Sequence, residues 1–190
     1  MAEPLHILLI SGSLREKSTN SAVLRTARAV APPGVAAIVY EGLADLPHFN
    51  PDDDRDPLPP AVATLRDQIR RADAVLFSTP EYAGALPGSF KNLLDWTIGD
   101  DQRGSIYEKP VAWINTSPRG TVDAHTSLRN VLRYAHATIV DAARAEIPVT
   151  GADVDERGLV ADPVIRAAIA GALTRLTGHA TAEPAATRTS

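Results

Sequence analysis

The 190-residue sequence contains no cysteine. This absence excludes disulfide bonds, thiolate nucleophiles, sulfur-based zinc sites and redox-active dithiols, so that any redox chemistry must come from a bound group. The sequence also lacks an apolar run near the roughly 20 residues that span a bilayer. Its first residues, Met1-Ala2-Glu3-Pro4, lack the basic and apolar segments of a signal peptide. We therefore expect a cytoplasmic protein.

Two common nucleotide-binding motifs are missing as well. Neither the Walker pattern GxxxxGK[ST] nor the dinucleotide pattern GxGxxG occurs where the first strand meets its helix, which argues against ATP held by a P-loop. Basic residues are also few, because 19 Lys and Arg face 23 Asp and Glu, giving a formal charge of −4. This balance argues against a nucleic-acid partner and against binding to a membrane surface.

The hydrophobic content of 44% is enough for one domain with a sizeable core. We expect this domain to cover residues 1–178. The remaining residues, 179–190, are rich in Ala, Thr and Pro, and we expect them to form a disordered tail.

Strand-like and helix-like segments alternate along the chain, as in parallel sheets that are covered by helices on both faces. The predicted strands are 5–10, 35–40, 74–78, 111–115 and a fifth region built from 138–140 and 146–149. The predicted helices are 21–31, 59–71, 89–98, 121–134 and 163–176. We predict an α/β fold with three layers, in which a doubly wound, five-stranded parallel sheet has the strand order 2-1-3-4-5. Ligands of such sheets bind beyond the carboxyl ends of strands one and three.

The junction between the first strand and its helix has the composition of a phosphate site. Gly12 allows a tight turn, short side chains and Lys17 supply donors and charge, and the helix directs unpaired N–H groups at the loop. The candidate phosphate ligands are Ser11, Ser13, Arg15, Ser18, Thr19 and Asn20. The alternative is that Ser18 or Asn20 only caps the helix and that Arg15 lies in solvent.

The segment after the third strand contains two prolines and two glycines within residues 78–96. These residues stiffen the turn, so the amides of residues 81–84 are expected to have fixed directions. Tyr82 offers a flat surface, and the loop suits a planar heterocycle that needs backbone donors along one edge. The alternative is a structural turn with Tyr82 and Trp96 in the core.

A third polar loop, residues 115–121, follows the fourth strand. Its candidate ligand contacts are Ser117, Arg119 and Gly120, which would close over the other side of a ligand. The alternative for Arg119 is a position in solvent, as for most isolated arginines.

These segments together resemble the NADPH-dependent FMN reductase family, and within it the bacterial reductases of quinones, chromate and azo dyes. The resemblance extends from the first strand to about Arg133. It depends on Ser11-Gly12-Ser13-Leu14-Arg15 with Ser18 and Asn20, on Pro80-Glu81-Tyr82 through Pro87-Gly88, and on Lys91-Asn92 with Asp95-Trp96. Residues 46–52 also resemble the loop after the second strand of that family.

The resemblance implies a flavodoxin-like fold, bound FMN, and hydride transfer from NADPH or NADH to a small acceptor such as a quinone. The FMN phosphate would be bound by Ser13, Arg15, Ser18 and Asn20, and the ring would be surrounded by Pro80, Glu81, Tyr82 and Gly84, with Ser117, Arg119 and Gly120 beside it. Where the family often has Asn after the Tyr, this chain has Ala83, which leaves only its backbone amide.

The resemblance further implies a homodimer or homotetramer. We expect no catalytic acid or base, no metal site, and ping-pong kinetics, because the nicotinamide and the acceptor would share one stacking face. Glu81 is expected to act through its amide with its side chain in solvent.

Two alternatives stay open at this point. One is a flavodoxin-type electron carrier, and the other is an interaction or regulatory domain on the same scaffold that binds no flavin. The role of the loop 44–60 is also open: Phe49 either walls a substrate pocket or packs beneath the loop, and the run Asp52-Asp53-Asp54 is expected in solvent.

Overall fold

One parallel sheet of six strands lies at the centre of the computed structural model, which describes residues 3–182. The strands are β1 (Leu5–Ser11), β2 (Val35–Tyr40), β3 (Ala74–Ser78), β4 (Pro110–Asn115), β5 (Thr138–Ile139) and β6 (Ala145–Glu146). The sheet order is β2-β1-β3-β4-β5, with β6 also paired to β4. The predicted order 2-1-3-4-5 is therefore confirmed.

The fifth strand differs from the prediction because it consists of two separate two-residue strands. β5 pairs with Pro110 and Val111, at the start of β4, and β6 pairs with Ile114 and Asn115, at its end. Between them the chain forms a 3-10 turn, Asp141–Ala143. The amides of Ala143 and Arg144 donate to the carbonyls of Val140 and Asp141, so they cannot continue the ladder with β4.

Five helices cover the sheet within the described residues: α1 (Thr19–Ala29), α2 (Pro60–Arg71), α3 (Gly88–Ile98), α4 (Val122–Tyr134) and α5 (Pro163–Ala182). All five were predicted, with shifted ends. α1 begins two residues earlier than expected because Ser18 already serves as its N-cap. None of the helices described here combines the length and the apolar composition that a membrane span requires.

α5 is longer than predicted and includes the first four residues of the expected disordered tail. Ala180 packs against the core, and the Thr181 hydroxyl donates to the carbonyls of Thr177 and Gly178. The expectation of disorder is therefore wrong for residues 179–182, because these contacts continue the helix. Residues 183–190 lie outside the described part of the chain.

The alternation of side chains along the strands produces two apolar layers. Ile7 and Leu9 face α1 and α5, whereas Leu8 and Ile10 face α2, α3 and α4. The strands are parallel, so all their carboxyl ends lie at one edge of the sheet. The three polar loops singled out in the sequence follow β1, β3 and β4 at this edge.

The loop after β2 is fastened to α3. The Pro47 carbonyl accepts hydrogen bonds from Asn92 Nδ2 and Trp96 Nε1, both at 2.8 Å, and the Phe49 amide donates to Asn92 Oδ1 at 2.7 Å. The Phe49 ring packs edge-on against the buried Trp96 ring, with 5.0 Å between centroids. Phe49 thus packs beneath the loop, and Trp96 belongs to the core.

The acidic run in the same loop is only partly solvated. Asp52 and Asp53 are exposed as expected. Asp54, however, forms an ion pair of 2.7 Å with the buried Arg66, whose Nε also donates to the Trp96 carbonyl at 2.8 Å. The expectation that Asp54 lies in solvent is therefore wrong, because its carboxylate neutralises a guanidinium that α2 holds inside the protein.

Candidate functional site

The loops after β1, β3 and β4 contact one another directly. The Gly12 amide donates to the Ser78 carbonyl at 2.8 Å, which joins the first loop to the end of β3. Asn20 Oδ1 accepts from the hydroxyls of Ser78 and Thr116, at 2.8 and 3.2 Å, which adds the end of β4. The three segments predicted from the sequence as ligand loops are therefore linked by hydrogen bonds at the carboxyl edge of the sheet.

Gly12 allows this contact because it has no side chain. A Cβ at this position would collide with Thr79 Oγ1 and would lie 2.9 Å from Phe90 Cδ1. Its φ is not in the left-handed region, so a tight turn is not what requires glycine here. The expected role of Gly12 is corrected accordingly: the residue provides space for close approach of two loops.

The first turn of α1 presents free backbone donors. Ser18 caps the helix by accepting from the Ser21 amide at 3.4 Å, as the alternative for this residue proposed. The amides of Thr19 and Asn20 have no acceptor within residues 3–182. These two N–H groups, together with the positive end of the helix dipole, form an arrangement that suits an anion.

The side chains of the first loop fall into two groups. Ser11 Oγ is engaged within the loop, where it accepts from the Ser13 amide at 3.2 Å and contacts Ser21 Oγ at 2.9 Å. Ser13 is buried, and its hydroxyl accepts from the Arg15 amide at 3.3 Å, which leaves its own proton available. Arg15 is exposed and makes no ion pair in the described part of the chain. Ser11 thus shapes the loop, whereas Ser13 and Arg15 retain free donors.

Asn20 has a divided role. Its carbonyl oxygen connects the ends of β3 and β4, as described above, while its Nδ2 donates to no group among residues 3–182. Thr19 contributes to the same junction, because its hydroxyl lies 3.3 Å from that of Thr116. Thr19 and Asn20 therefore both help to hold the loops together, and the Asn20 side-chain NH₂ group remains free to bind a ligand.

The loop after β3 contains a two-residue hairpin. Tyr82 and Ala85 exchange backbone hydrogen bonds of 3.0 and 3.1 Å around Ala83 and Gly84, whose φ angles are 52° and 70°. Left-handed conformations at both central positions are characteristic of a type I′ turn. The amides of Glu81, Ala83 and Gly84 have no acceptor in the described residues, whereas the Tyr82 amide is used within the turn. Tyr82 is 47% exposed, so it does not belong to the core.

The Glu81 side chain differs from the prediction. Its Oε2 accepts from the Ala124 amide at 2.9 Å, in the first turn of α4. The expectation that this side chain lies in solvent is therefore wrong, because an unpaired helix amide attracts the carboxylate. This contact connects the hairpin to the start of the helix that follows the third loop.

The loop after β4 is organised by Asn115. Its Oδ1 accepts from the Ser117 amide at 3.0 Å and from the Thr121 hydroxyl at 2.8 Å. Gly120 has φ 71° and is exposed, as is Arg119, which forms no ion pair in the described region. Ser117 and Gly120 thus lie at the rim of the site, and Arg119 has the solvent position that the alternative proposed.

The residues that connect the loops were not predicted from the sequence. Ser78, Thr116 and Asn115 bind no predicted ligand group, yet they determine the relative positions of the three loops. Their signal was present in the sequence, because each is a polar residue at the carboxyl end of a buried strand. In the described chain, no group of three His, Cys, Asp or Glu residues is arranged to hold a metal ion.

The sequence is similar to known proteins over most of its length. The model of the family described as NADPH-dependent FMN reductase matches residues 5–148. The chain is 34% identical to the quinone reductase of Escherichia coli (strain K12) over 188 residues, covering 96% of this chain and 95% of that protein. It is 39% identical over 136 residues to an NAD(P)H-dependent FMN reductase of Pseudomonas aeruginosa, covering 70% and 72%.

A solved structure shows the same architecture. The flavoenzyme NAD(P)H:(acceptor) oxidoreductase FerB from Paracoccus denitrificans superimposes with a TM-score of 0.77 at 29% sequence identity. The match covers 92% of this chain and 98% of that one. Since the family model spans most of the sequence, the resemblance inferred from the motifs is confirmed. The chain belongs to the NADPH-dependent FMN reductase family.

Proposed function

We propose that the chain is an FMN-dependent oxidoreductase that transfers a hydride from NADPH or NADH to a quinone or another small acceptor. The observation that carries this proposal is the pair of free amides at the start of α1, on a loop that is hydrogen-bonded to the end of β3, together with the free amides of the hairpin that follows β3. Membership of the FMN reductase family and similarity to a quinone reductase support it. When bound, FMN supplies the hydride chemistry, and the protein supplies binding and orientation.

The first loop fits the phosphate of FMN. The free amides of Thr19 and Asn20 lie at the N-terminus of α1, next to the hydroxyls of Ser13 and Ser18. Arg15 adds an unpaired positive charge at the exposed rim. A dianionic group gains most from such charge-assisted hydrogen bonds, so we assign phosphate binding to this loop, with Ser11 supporting its shape.

The hairpin after β3 fits the edge of a planar ring with carbonyl and nitrogen acceptors. Its amides at Glu81, Ala83 and Gly84 are unused, and the half-exposed Tyr82 offers an aromatic surface. Pro80 fixes the start of the loop, and we place Ser117, Arg119 and Gly120 along the other side of the ring. No side chain is required as a proton donor or acceptor in this arrangement, so we assign no catalytic residue.

We also propose a homodimer or homotetramer. Three exposed apolar side chains, Leu14, Tyr82 and Val122, lie on the loops after β1 and β3 and at the start of α4, with exposures of 57%, 47% and 74%. Exposed apolar groups on neighbouring segments favour a protein interface. Residues 1–178, together with residues 179–182 of α5, would form the FMN-binding domain of each subunit. We place the protein in the cytoplasm, where reduced nicotinamide is supplied, and propose no nucleic-acid or membrane partner.

The test combines flavin binding with steady-state kinetics. Adding FMN to the purified apoprotein should raise its melting temperature and quench flavin fluorescence. The holoprotein should oxidise NADPH or NADH in the presence of a soluble benzoquinone, with parallel lines in double-reciprocal plots. Flavin binding without nicotinamide oxidation would identify an electron carrier instead. Unchanged melting temperature and fluorescence at saturating FMN would refute the proposal.

A further inference from the structure

The first turn of α4 is capped by a residue from a different loop. Ala124 is the third residue of this helix and is fully buried, and its amide donates to Glu81 Oε2 over a sequence separation of 43 residues. Glu81 directly precedes the hairpin to which we assign the edge of the flavin ring. One hydrogen bond therefore connects the ring-binding hairpin with the beginning of α4.

The helix has no side-chain cap of its own. Thr121 occupies the N-cap position, but it makes no capping hydrogen bond, and its hydroxyl donates to Asn115 Oδ1 instead. An uncapped helix start leaves amides without partners, which is costly when they are buried. Glu81 thus satisfies a need that the local sequence of α4 leaves unmet, and its negative charge also complements the helix dipole.

The hairpin in turn contains an unfavourable residue. Ala83 has φ 52°, which lies in the left-handed region. This conformation is less favourable for alanine than for glycine, because the alanine Cβ approaches the backbone. The exchange of backbone bonds between Tyr82 and Ala85 holds the turn from within. The contact of Glu81 with α4 is the hydrogen bond that anchors the same segment to a neighbouring element.

We propose that Glu81 is a positioning residue for the flavin ring. Its carboxylate binds the first turn of α4 and so fixes the directions of the adjacent hairpin amides. Flavin binding is therefore coupled to the order of that turn. This inference rests on the proposed function, because it concerns the same FMN site.

The first experiment compares FMN affinity among three variants at 25 °C. Glu81→Ala removes the acceptor and should raise the FMN Kd about tenfold, which corresponds to the loss of one charge-assisted hydrogen bond. Glu81→Gln retains an oxygen acceptor and should recover most of this loss. The control is Asp123→Asn in the same first turn, an isosteric change that removes a negative charge near Gly84 and leaves the hydrogen bond between Glu81 and Ala124 in place. This variant should leave the Kd within twofold.

A purely structural cap would give a different result. In that case Glu81→Ala would lower the melting temperature of the apoprotein but leave the FMN Kd unchanged, which would overturn the proposal. An equal rise in Kd for Asp123→Asn would also overturn it, because charge alone would then explain the effect. Failure of the wild-type protein to bind FMN would instead refute the proposed function itself.

The second experiment uses only the wild-type chain, so it does not depend on the folding of a variant. Coupling between two sites is reciprocal. Saturating FMN should therefore slow hydrogen exchange of the Ala124 amide by about the same tenfold factor, while amides at the C-terminal end of α4 keep their rates. Flavin binding that leaves Ala124 exchange unchanged would contradict the proposal and leave the proposed function intact.

Discussion

Replacing Gly12 with alanine tests whether close approach of two loops builds the site. The added Cβ would collide with Thr79 Oγ1 and would lie 2.7 Å from Thr79 Cβ and 2.9 Å from Phe90 Cδ1. The position of Thr79 Cβ is fixed by the backbone, and the Phe90 ring is buried in the core. Rotation of the Thr79 side chain therefore cannot relieve the overlap. Overpacking of this kind costs about 1–3 kcal/mol.

The overlap also threatens a hydrogen bond. Separation of the loops would lengthen the 2.8 Å bond from the Gly12 amide to the Ser78 carbonyl, whose loss adds about 1 kcal/mol. We therefore expect Gly12→Ala to lower the free energy of unfolding by about 2–4 kcal/mol. Because the displaced loop also carries the proposed phosphate ligands, FMN affinity should fall as well.

Denaturant unfolding and FMN titration measure the two effects. The matched control is Gly88→Ala at the first residue of α3, where an added Cβ meets nothing within 4 Å. This variant should be neutral or gain up to about 1 kcal/mol, because alanine favours helix. Equal stability of Gly12→Ala and the wild-type protein, with unchanged FMN affinity, would refute the argument.

Three further predictions concern stability. Burial, reinforced by the Asp45 carboxylate, raises the pKa of Tyr40 to about 12 from 10.0, so the folded state keeps this proton longer and stability should fall as the pH rises from 10 to 12. The Tyr40 hydroxyl has no partner among the described residues, so Tyr40→Phe should retain stability at pH 7 and lose less stability at alkaline pH. Denaturant titrations that show the same alkaline loss for both proteins would contradict this prediction. Ala83→Gly should gain about 0.5–1 kcal/mol in denaturant unfolding by relieving a left-handed alanine, and a loss of stability would count against the assigned turn. Arg66→Met should cost about 3–5 kcal/mol because it leaves Asp54 unpaired in a largely buried position, and a cost below 1 kcal/mol would show that the pair is effectively solvated.

The fold was largely predictable because its signals are periodic and local. Continuous apolar runs at β1 and β3 indicate buried parallel strands, and the turn residues between elements separate them. The divided fifth strand was not predictable in the same way. The 3-10 turn that separates β5 from β6 depends on which carbonyls the amides of Ala143 and Arg144 find, and composition does not determine this choice.

The loops of the site were predictable as loops, but the contacts between them were not. Ser18 and Asn20 have chemistry that suits both a helix cap and a ligand, and the structure shows a cap at one and a junction of two strands at the other. The partners of Asn20 are 58 and 96 residues away. Such pairings follow from strand order and register, which bring the ends of β1, β3 and β4 together only in the folded chain.

Glu81 shows why a residue's role depends on what its neighbours lack. From sequence, a glutamate in a polar loop is expected in solvent, since its charge is expensive to bury. The deciding factor is Thr121, which occupies the N-cap of α4 but donates its hydroxyl to Asn115. The Ala124 amide is then left for an acceptor from outside the helix, and the carboxylate of the adjacent hairpin supplies it. The hairpin thus contacts α4 because the Ala124 amide has no acceptor within its own helix. For the same reason, the position of the hairpin depends on whether the first turn of α4 is ordered.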